Sequence, residues 1–285
     1  MIYVSYEDIA NTIRKNLWKI PEDIDLIVGI PRSGMIPALM IAEFLNKRVT
    51  DLDSFIEGRV MSCGRKGSYL RPGKEGKVLV IDDTVYSGHA LEEVKERLKD
   101  LEEKYEILYS CVYAEGKGAT EKVDIFLEDT REKAVVDRFM YEQNIFQHGN
   151  KRSQWLMFDM DGVLCKNPPN DKHTEQYEEY IKNAIPMIVP SNTIGAICTY
   201  RLEKYRDITE KWLKEHGITY NNLYMFDAPN RETRNLTAPW KYKGRIYRDS
   251  PWAKLFIESD PKQAEEIFNL SGKPVLCYEN GKFYR

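Results

Sequence analysis

Short apolar runs alternating with longer amphipathic stretches constrain the fold of this chain more than any other feature. A short run without polar alternation is buried on both faces, as in a parallel sheet covered by crossover helices. Asp25–Ile30 (DLIVGI), Lys77–Ile81, Tyr105–Tyr113 and Val123–Glu128 form one series of such strands. Trp155–Phe158, Ile194–Cys198, Leu255–Glu258 and Pro274–Tyr278 form a second. Ser5 is placed to cap a first helix through about Leu17, and Met35–Leu45 and His89–Lys104 read as crossover helices. The polar stretch His148–Gln154 (HGNKRSQ) separates the two series, placing a boundary near Lys151. The sequence therefore predicts two α/β domains, 1–150 and 151–285, each a mainly parallel sheet flanked by helices. Asn280–Gly281, between β-formers, predicts a type I′ hairpin near the end.

Charge excludes one class of partner. The formal net charge is -3 with 31% charged residues of both signs, and no basic surface points to nucleic acid. The longest apolar stretch, Met35–Leu45, is interrupted by Glu43 and falls short of the roughly 20 residues of a spanning helix. The opening MIYVSYEDIA lacks the pattern of a secretory signal. Cys63, Cys111, Cys165, Cys198 and Cys277 are dispersed without a C-x-x-C pair, which suits reduced thiols in the cytoplasm.

Chemistry concentrates where strands end. Val78–Gly88 reads VLVIDDTVYSG: an apolar run, the acids Asp82 and Asp83, then a turn of small and hydroxyl residues before a helix. Unpaired amides at a helix N-terminus favour a phosphate. Adjacent carboxylates would repel one, so their task is another, such as gripping ribose hydroxyls. An Asp-rich turn that merely caps a helix has a similar outline. The whole string, however, resembles the motif by which type I phosphoribosyltransferases bind PRPP (5-phosphoribosyl 1-diphosphate). The resemblance implies that Asp82 and Asp83 hold the ribose, and that Thr84, Val85, Tyr86, Ser87 and Gly88 cradle its 5-phosphate.

Gly29–Gly34 (GIPRSG) follows the first strand and resembles the pyrophosphate loop of the same family, with Arg32, Ser33 and Gly34 as contacts. Glu57–Lys74 is rich in glycine and basic residues, as a solvated surface loop would be. The family resemblance implies instead a flap over PRPP, with Arg59, Arg65, Lys66, Ser68 and Tyr69 as candidates. The reaction implied is displacement of pyrophosphate from C1 of PRPP, with Mg²⁺ neutralising the diphosphate. The acceptor hood falls in Arg131–His148, where Arg138, Phe139, Tyr141, Phe146 and His148 either stack on an acceptor or pack against the second domain.

In the second series Trp155–Cys165 reads WLMFDMDGVLC. Two acids one residue apart at a strand end can approach one phosphoryl group from different directions: one attacks phosphorus, the other moves the proton. A calcium loop or a plain turn can also carry D-x-D-G. The segment resembles the first motif of haloacid dehalogenase superfamily phosphatases, with Asp159 as nucleophile and Asp161 as acid–base. Thr199 in IGAICTYR, followed by Tyr200 and Arg201, matches that family's second motif at the phosphoryl group. Lys243 is the candidate cation, with Lys241 and Lys254 in competition. Asp159, Asp161, Glu258 and Asp260 are the candidate Mg²⁺ acids, and the spacing leaves open whether Glu258 or Asp260 meets the metal. Neither insertion point of that superfamily holds a full cap domain, which suits a large substrate.

The two resemblances combine into a sequence of reactions. A transferred 5-phosphoribosyl group still carries a phosphomonoester, which the second domain would remove. This domain logic is similar to that of two-domain ribofuranosyltransferases of bacterial surface polysaccharides, implying a glycan or lipid-linked glycan acceptor. A nucleobase phosphoribosyltransferase joined to a nucleotidase is the alternative enzyme. A PRPP-sensing regulator is a third reading, against which the chain shows no helix-turn-helix or basic arm.

Overall fold

The computed structural model describes residues 2–64, 76–136, 139–146, 151–168, 175–228 and 236–285. The chain divides into two compact units, Met1–Gln143 and Asn144–Arg285. Each is α/β, with a mainly parallel sheet covered by helices. The division falls before the polar linker because Phe146 packs its ring on Phe158 and Tyr278 of the second unit.

The first unit opens with strand β1 (Ile2–Val4) and helix α1 (Tyr6–Asn16). Ser5 caps α1 through a capping box: its hydroxyl accepts from the Asp8 N–H while the Asp8 carboxylate accepts from the Ser5 N–H. There follow β2 (Leu26–Gly29), α2 (Met35–Leu45), β3 (Arg48–Asp51), α3 (Leu52–Ile56), β4 (Lys77–Val85) and α4 (His89–Leu98). The unit continues with β5 (Glu106–Ala114), α5 (Ala119–Lys122), β6 (Ile125–Asp129), α6 (Arg131–Val136) and β7 (Phe139–Tyr141). Helix α4 gives way to a single 3₁₀ turn at Lys99–Leu101, short of the expected end at Lys104.

The main sheet has the order β3-β2-β4-β5-β6, all parallel, and β1 pairs separately with β7. Because side chains alternate across a strand, β2 sends Ile27 to one face and Leu26 and Val28 to the other. Ile27, Leu79 and Ile81 pack under Ile9 and Ile13 of α1 and Ile41 of α2. Leu26, Val28 and Val80 pack under Leu52 and Phe55 of α3 and Leu91 of α4. Burial on both faces explains why these strands read as continuous apolar runs.

The second unit contains β8 (Leu156–Phe158), α7 (Glu175–Asn183), β9 (Ile194–Leu202), α8 (Arg206–Glu215) and β10 (Tyr220–Phe226). It ends with α9 (Pro239–Arg248), β11 (Leu255–Glu258), α10 (Pro261–Ser271), β12 (Val275–Cys277) and β13 (Phe283–Tyr284). Its sheet runs β10-β9-β8-β11-β12-β13, parallel except for β13. The terminal hairpin differs from the expected two-residue turn. Cys277 N–H donates to Lys282 C=O, enclosing residues 278–281, and only Gly281 has positive φ, whereas a type I′ turn needs two such residues. No helix among the described residues is long and apolar enough to cross a membrane.

Strand order positions the sites. In the first sheet, connections leave β2 toward β3 and β4 toward β5, so the order reverses between β2 and β4. In the second, the reversal lies between β8 and β11. Open α/β sheets present a crevice beyond the carboxyl ends of strands at such a switch point.

Candidate functional sites

At the first switch point, Asp82 and Asp83 belong to β4 itself, which extends through Val85, four residues beyond the apolar run. Their side chains therefore face opposite ways. Asp83 is buried, and its carboxylate accepts from the Ser33 hydroxyl at 3.1 Å and from the Gln143 amide at 2.8 Å. Asp82 caps the Asp83 N–H at 2.8 Å. Burial first, then the charge of Asp83, pushes the Asp82 carboxyl well above its ordinary range. No cation pairs with either acid among the described residues.

The loop after β2 closes on this pair. Ile30 N–H donates to Ile81 C=O, and Gly34 lies so near the Ile30 and Ile81 carbonyls that a Cβ would sit 2.6 and 2.7 Å from their oxygens. Any larger residue would push the loop off β4. Ser33 thereby reaches Asp83, while Arg32 stays exposed. Beyond β4, Tyr86 and Ser87 are exposed and Gly88 stands at the N-terminus of α4 with φ 82°. Lys122, from α5, donates to the Ser87 carbonyl at 2.8 Å and to Glu92 at 2.7 Å, bringing to the turn a cation that the sequence pattern did not indicate. Thr84 is half-buried and Val85 is core.

Of the flap candidates, Arg59 pairs with Glu57 on the surface. Arg65, Lys66, Ser68 and Tyr69 lie outside the described residues, as do Arg138 and His148 of the hood segment. Phe139 and Tyr141 are packed in the first unit's core, not presented to solvent. Gln143 was invisible in the sequence: an isolated glutamine carries no motif, and only the return of the chain after β7 brings it to Asp83.

At the second switch point, Asp159 follows β8 and Glu258 ends β11, both buried. The ammonium of Lys243, on α9, lies 2.9 Å from Asp159 and 2.8 Å from Glu258, and also donates to Gln263 at 3.1 Å. Lys241 instead lies over the Trp240 ring, and Lys254 caps the Pro251 carbonyl. Burial and the neighbouring Glu258 charge raise the Asp159 carboxyl, against the pull of Lys243. Burial would deprotonate Lys243, but Asp159 and Glu258 together hold its charge firmly.

Asp161 is held by a different cation. Arg201, on β9 and fully buried, grips it through Nε at 3.1 Å and an NH₂ group at 2.6 Å. Tyr180 and Cys165 also donate to Asp161. Burial would raise Asp161, and the Arg201 charge and hydrogen bonds more than offset it, holding it below the ordinary range. Arg201 is thus committed to Asp161. Tyr200 hydrogen-bonds the Thr237 carbonyl and packs its ring, tilted, on Phe226 with centroids 4.4 Å apart. Thr199 is buried, its hydroxyl accepting from the Arg201 N–H at 3.2 Å. Gly162, with φ 86°, turns the chain beside Ser259.

Glu258 also accepts from the Ser259 and Asp260 N–H groups, while Asp260 caps α10 through the Gln263 N–H at 2.7 Å. No cluster of three or more potential metal-ligating side chains occurs among the described residues. Two carboxylates at one strand edge still match the habit of Mg²⁺, which takes one or two protein acids and completes its shell with water and substrate phosphate.

Comparison with known proteins places the first unit. Residues 3–139 match the phosphoribosyl transferase domain. Orotate phosphoribosyltransferase of Thermotoga petrophila is 33% identical over 94 residues, 33% of this chain and 44% of that protein. The Thermotoga maritima enzyme of the same name is 32% identical over the same span. The match thus spans under half the length of these curated relatives. Among solved structures, Helicobacter pylori xanthine-guanine-hypoxanthine phosphoribosyltransferase aligns with a TM-score of 0.35 at 20% identity, over 50% of this chain and 93% of that one. The Pyrococcus horikoshii purine phosphoribosyltransferase aligns with a TM-score of 0.35, 20% identity, and coverage of 50% and 92%. Over residues 3–139, just under half of its length, this chain is thus similar to the phosphoribosyl transferase domain.

Proposed function

We infer that the chain performs two reactions in series: the first unit transfers a 5-phosphoribosyl group from PRPP to an acceptor, and the second removes the 5-phosphate, leaving a ribofuranosyl product. One observation carries this reading. Each sheet brings strand-end acids to its switch point, one set without a cationic partner among the described residues and one built around Lys243.

In the first unit Asp82 and Asp83 accept hydrogen bonds from the ribose hydroxyls. The Thr84–Gly88 turn takes the 5-phosphate, and Arg32 and Ser33 take the diphosphate, with Arg59 at the flap. Mg²⁺ would neutralise the departing diphosphate. In the second unit Asp159 attacks phosphorus, Lys243 offsets the gathering negative charge, and Thr199 contacts the phosphoryl group. Asp161 exchanges the proton with the leaving oxygen and the incoming water. Asp159 and Glu258, with Asp161 beside them, would hold the Mg²⁺ that screens nucleophile from phosphate, while Asp260 serves α10 as its cap.

A glycan is the favoured acceptor, since dephosphorylation after transfer yields a ribosyl glycan. Transfer to a nucleobase followed by nucleotide dephosphorylation is the second reading, favoured by the likeness to orotate phosphoribosyltransferases. We place both reactions in the cytoplasm, where five free thiols are at home. With PRPP, Mg²⁺ and candidate glycans, pyrophosphate should appear first and inorganic phosphate second. Asp159→Asn should keep the first product and lose the second. Rapid turnover of adenine, guanine, hypoxanthine, uracil or orotate selects the nucleobase reading, and PRPP binding without turnover of any acceptor defeats the enzyme reading.

A further inference from the structure

A cavity of about 520 Å³ opens beside the phosphate-binding turn. That volume falls in the range of sites that enclose small molecules, roughly 300–1,000 Å³. It is lined by Tyr86 of the turn, Glu115 and Lys117 after β5, and Asp129, Arg131 and Glu132 at the end of β6 and the start of α6. Its register with the turn is fixed. The Glu115 and Gly116 N–H groups both donate to Val85 C=O, at 2.9 and 3.3 Å. Gly116 lies against the turn so closely that a Cβ would fall 1.6 Å from the Tyr86 carbonyl oxygen. The wall that carries Glu115 therefore cannot drift from the residues that hold the phosphoribosyl group.

We propose that Glu115 accepts the proton of a neutral, hydroxyl-bearing acceptor bound in this cavity. The proposal rests on the PRPP-dependent reading of the first unit. The turn Thr84–Gly88 contains no carboxylate or imidazole, and Asp82 and Asp83 are assigned to the ribose, so a base must come from elsewhere. Among the lining acids, Asp129 is tied by two hydrogen bonds to the Arg131 guanidinium, and Glu132 is exposed on α6. Glu115 alone of the three is buried, at 6% exposure. Its carboxylate accepts from the Tyr141 hydroxyl, whose proton burial and the Glu115 charge hold firmly. That bond orients the carboxylate as a second-atom support orients a general base.

The lining also selects the acceptor. Tyr86 is 55% exposed and offers an aromatic face to a ring. Three carboxylates stand against two cations, one already engaged by Asp129, so an anionic heterocycle such as orotate meets net repulsion. Hydroxyl groups meet acceptors. In the transfer the acceptor oxygen forms a bond to C1 of PRPP. The bond from C1 to the diphosphate oxygen breaks with its electron pair, and the hydroxyl proton passes to a Glu115 oxygen.

Glycerol and methyl β-D-galactoside are suitable probe acceptors. With PRPP and Mg²⁺, each should raise pyrophosphate release above the rate in water alone. Glu115→Gln should cut that increment by about 100-fold or more while leaving the KM for PRPP unchanged. Glu115→Ala should regain part of it with added formate, and Glu115→Asp should retain part, responses that a merely structural carboxylate would not give. The inference is overturned if both probes are inert, if orotate replaces them, or if Glu115→Gln keeps its increment. PRPP-induced thermal stabilisation of the wild-type protein separates the two levels: with it, such results sink only the role of Glu115, and without it the parent reading falls too.

Discussion

The two acid clusters sit at the same place in their sheets yet are stabilised in opposite ways. Among the described residues Asp82 and Asp83 are supported by neutral donors only: a serine hydroxyl, a glutamine amide and a backbone N–H. Asp159, Glu258 and Asp161 are each paired with a buried cation, Lys243 shared by the first two and Arg201 holding the third. The contrast follows from what each cluster is proposed to meet. Sugar hydroxyls are hydrogen-bond donors and are best gripped by acceptors free of a competing cation. A phosphoryl group is an anion, and carboxylates can face it only if positive charge is built in beside them.

The sharpest way to break this comparison is to remove the cation from the second cluster. Lys243→Met leaves Asp159 and Glu258 buried together without compensation. The second unit should lose about 3–5 kcal/mol, read as a lower urea midpoint for that unit alone. Adding Glu258→Gln should restore part of the loss. An unchanged midpoint in the single variant would show that the cluster does not depend on its lysine.

Substitution in the first cluster should act with the opposite sign. Below the ordinary carboxyl value of 3.8, Asp82 is protonated whether folded or not, and contributes nothing. As pH rises past that value the unfolded chain releases its proton while the folded site, whose pKa is raised, retains it, so stability falls. The full penalty is present once the folded site also ionises. Asp82→Asn should therefore stabilise the first unit by about 1 kcal/mol at neutral pH, with the gain vanishing near pH 4, while abolishing transfer. Destabilisation at pH 7 would overturn the picture of a strained, unpaired acid.

A smaller effect tests the neutral supports. Gln143→Ala removes one donor to Asp83 and should raise the KM for PRPP by about five-fold, in line with about 1 kcal/mol for a typical net hydrogen bond. Gln143→Glu, which brings a second negative charge, should be worse than alanine. Equal effects of the two would mean that the amide does not act through Asp83.

Most strands were legible because they are buried on both faces and need continuous apolar sequence. β3 and β10, at the sheet edges, were not: Arg48–Asp51 (RVTD) and the start of β10, Tyr220–Leu223 (YNNL), mix polar and apolar residues. The pairing of β1 with β7 joins segments far apart in sequence, which no local pattern encodes. Phe139 and Tyr141, expected either to stack on an acceptor or to pack against the second domain, also waited on the fold, which places both in the first unit's own core.

The sequence by itself determined the two parallel α/β units and the residues gathered at their strand ends, because burial periodicity and motif spacing are local properties of a chain. Only the tertiary structure decided which charges meet. That Lys243 and not Lys241 or Lys254 joins Asp159, that Arg201 serves Asp161, and that Gln143 reaches Asp83 all depend on elements returning from a distance. Electrostatic partnership falls off over a few ångströms in space, and sequence separation carries no measure of that distance.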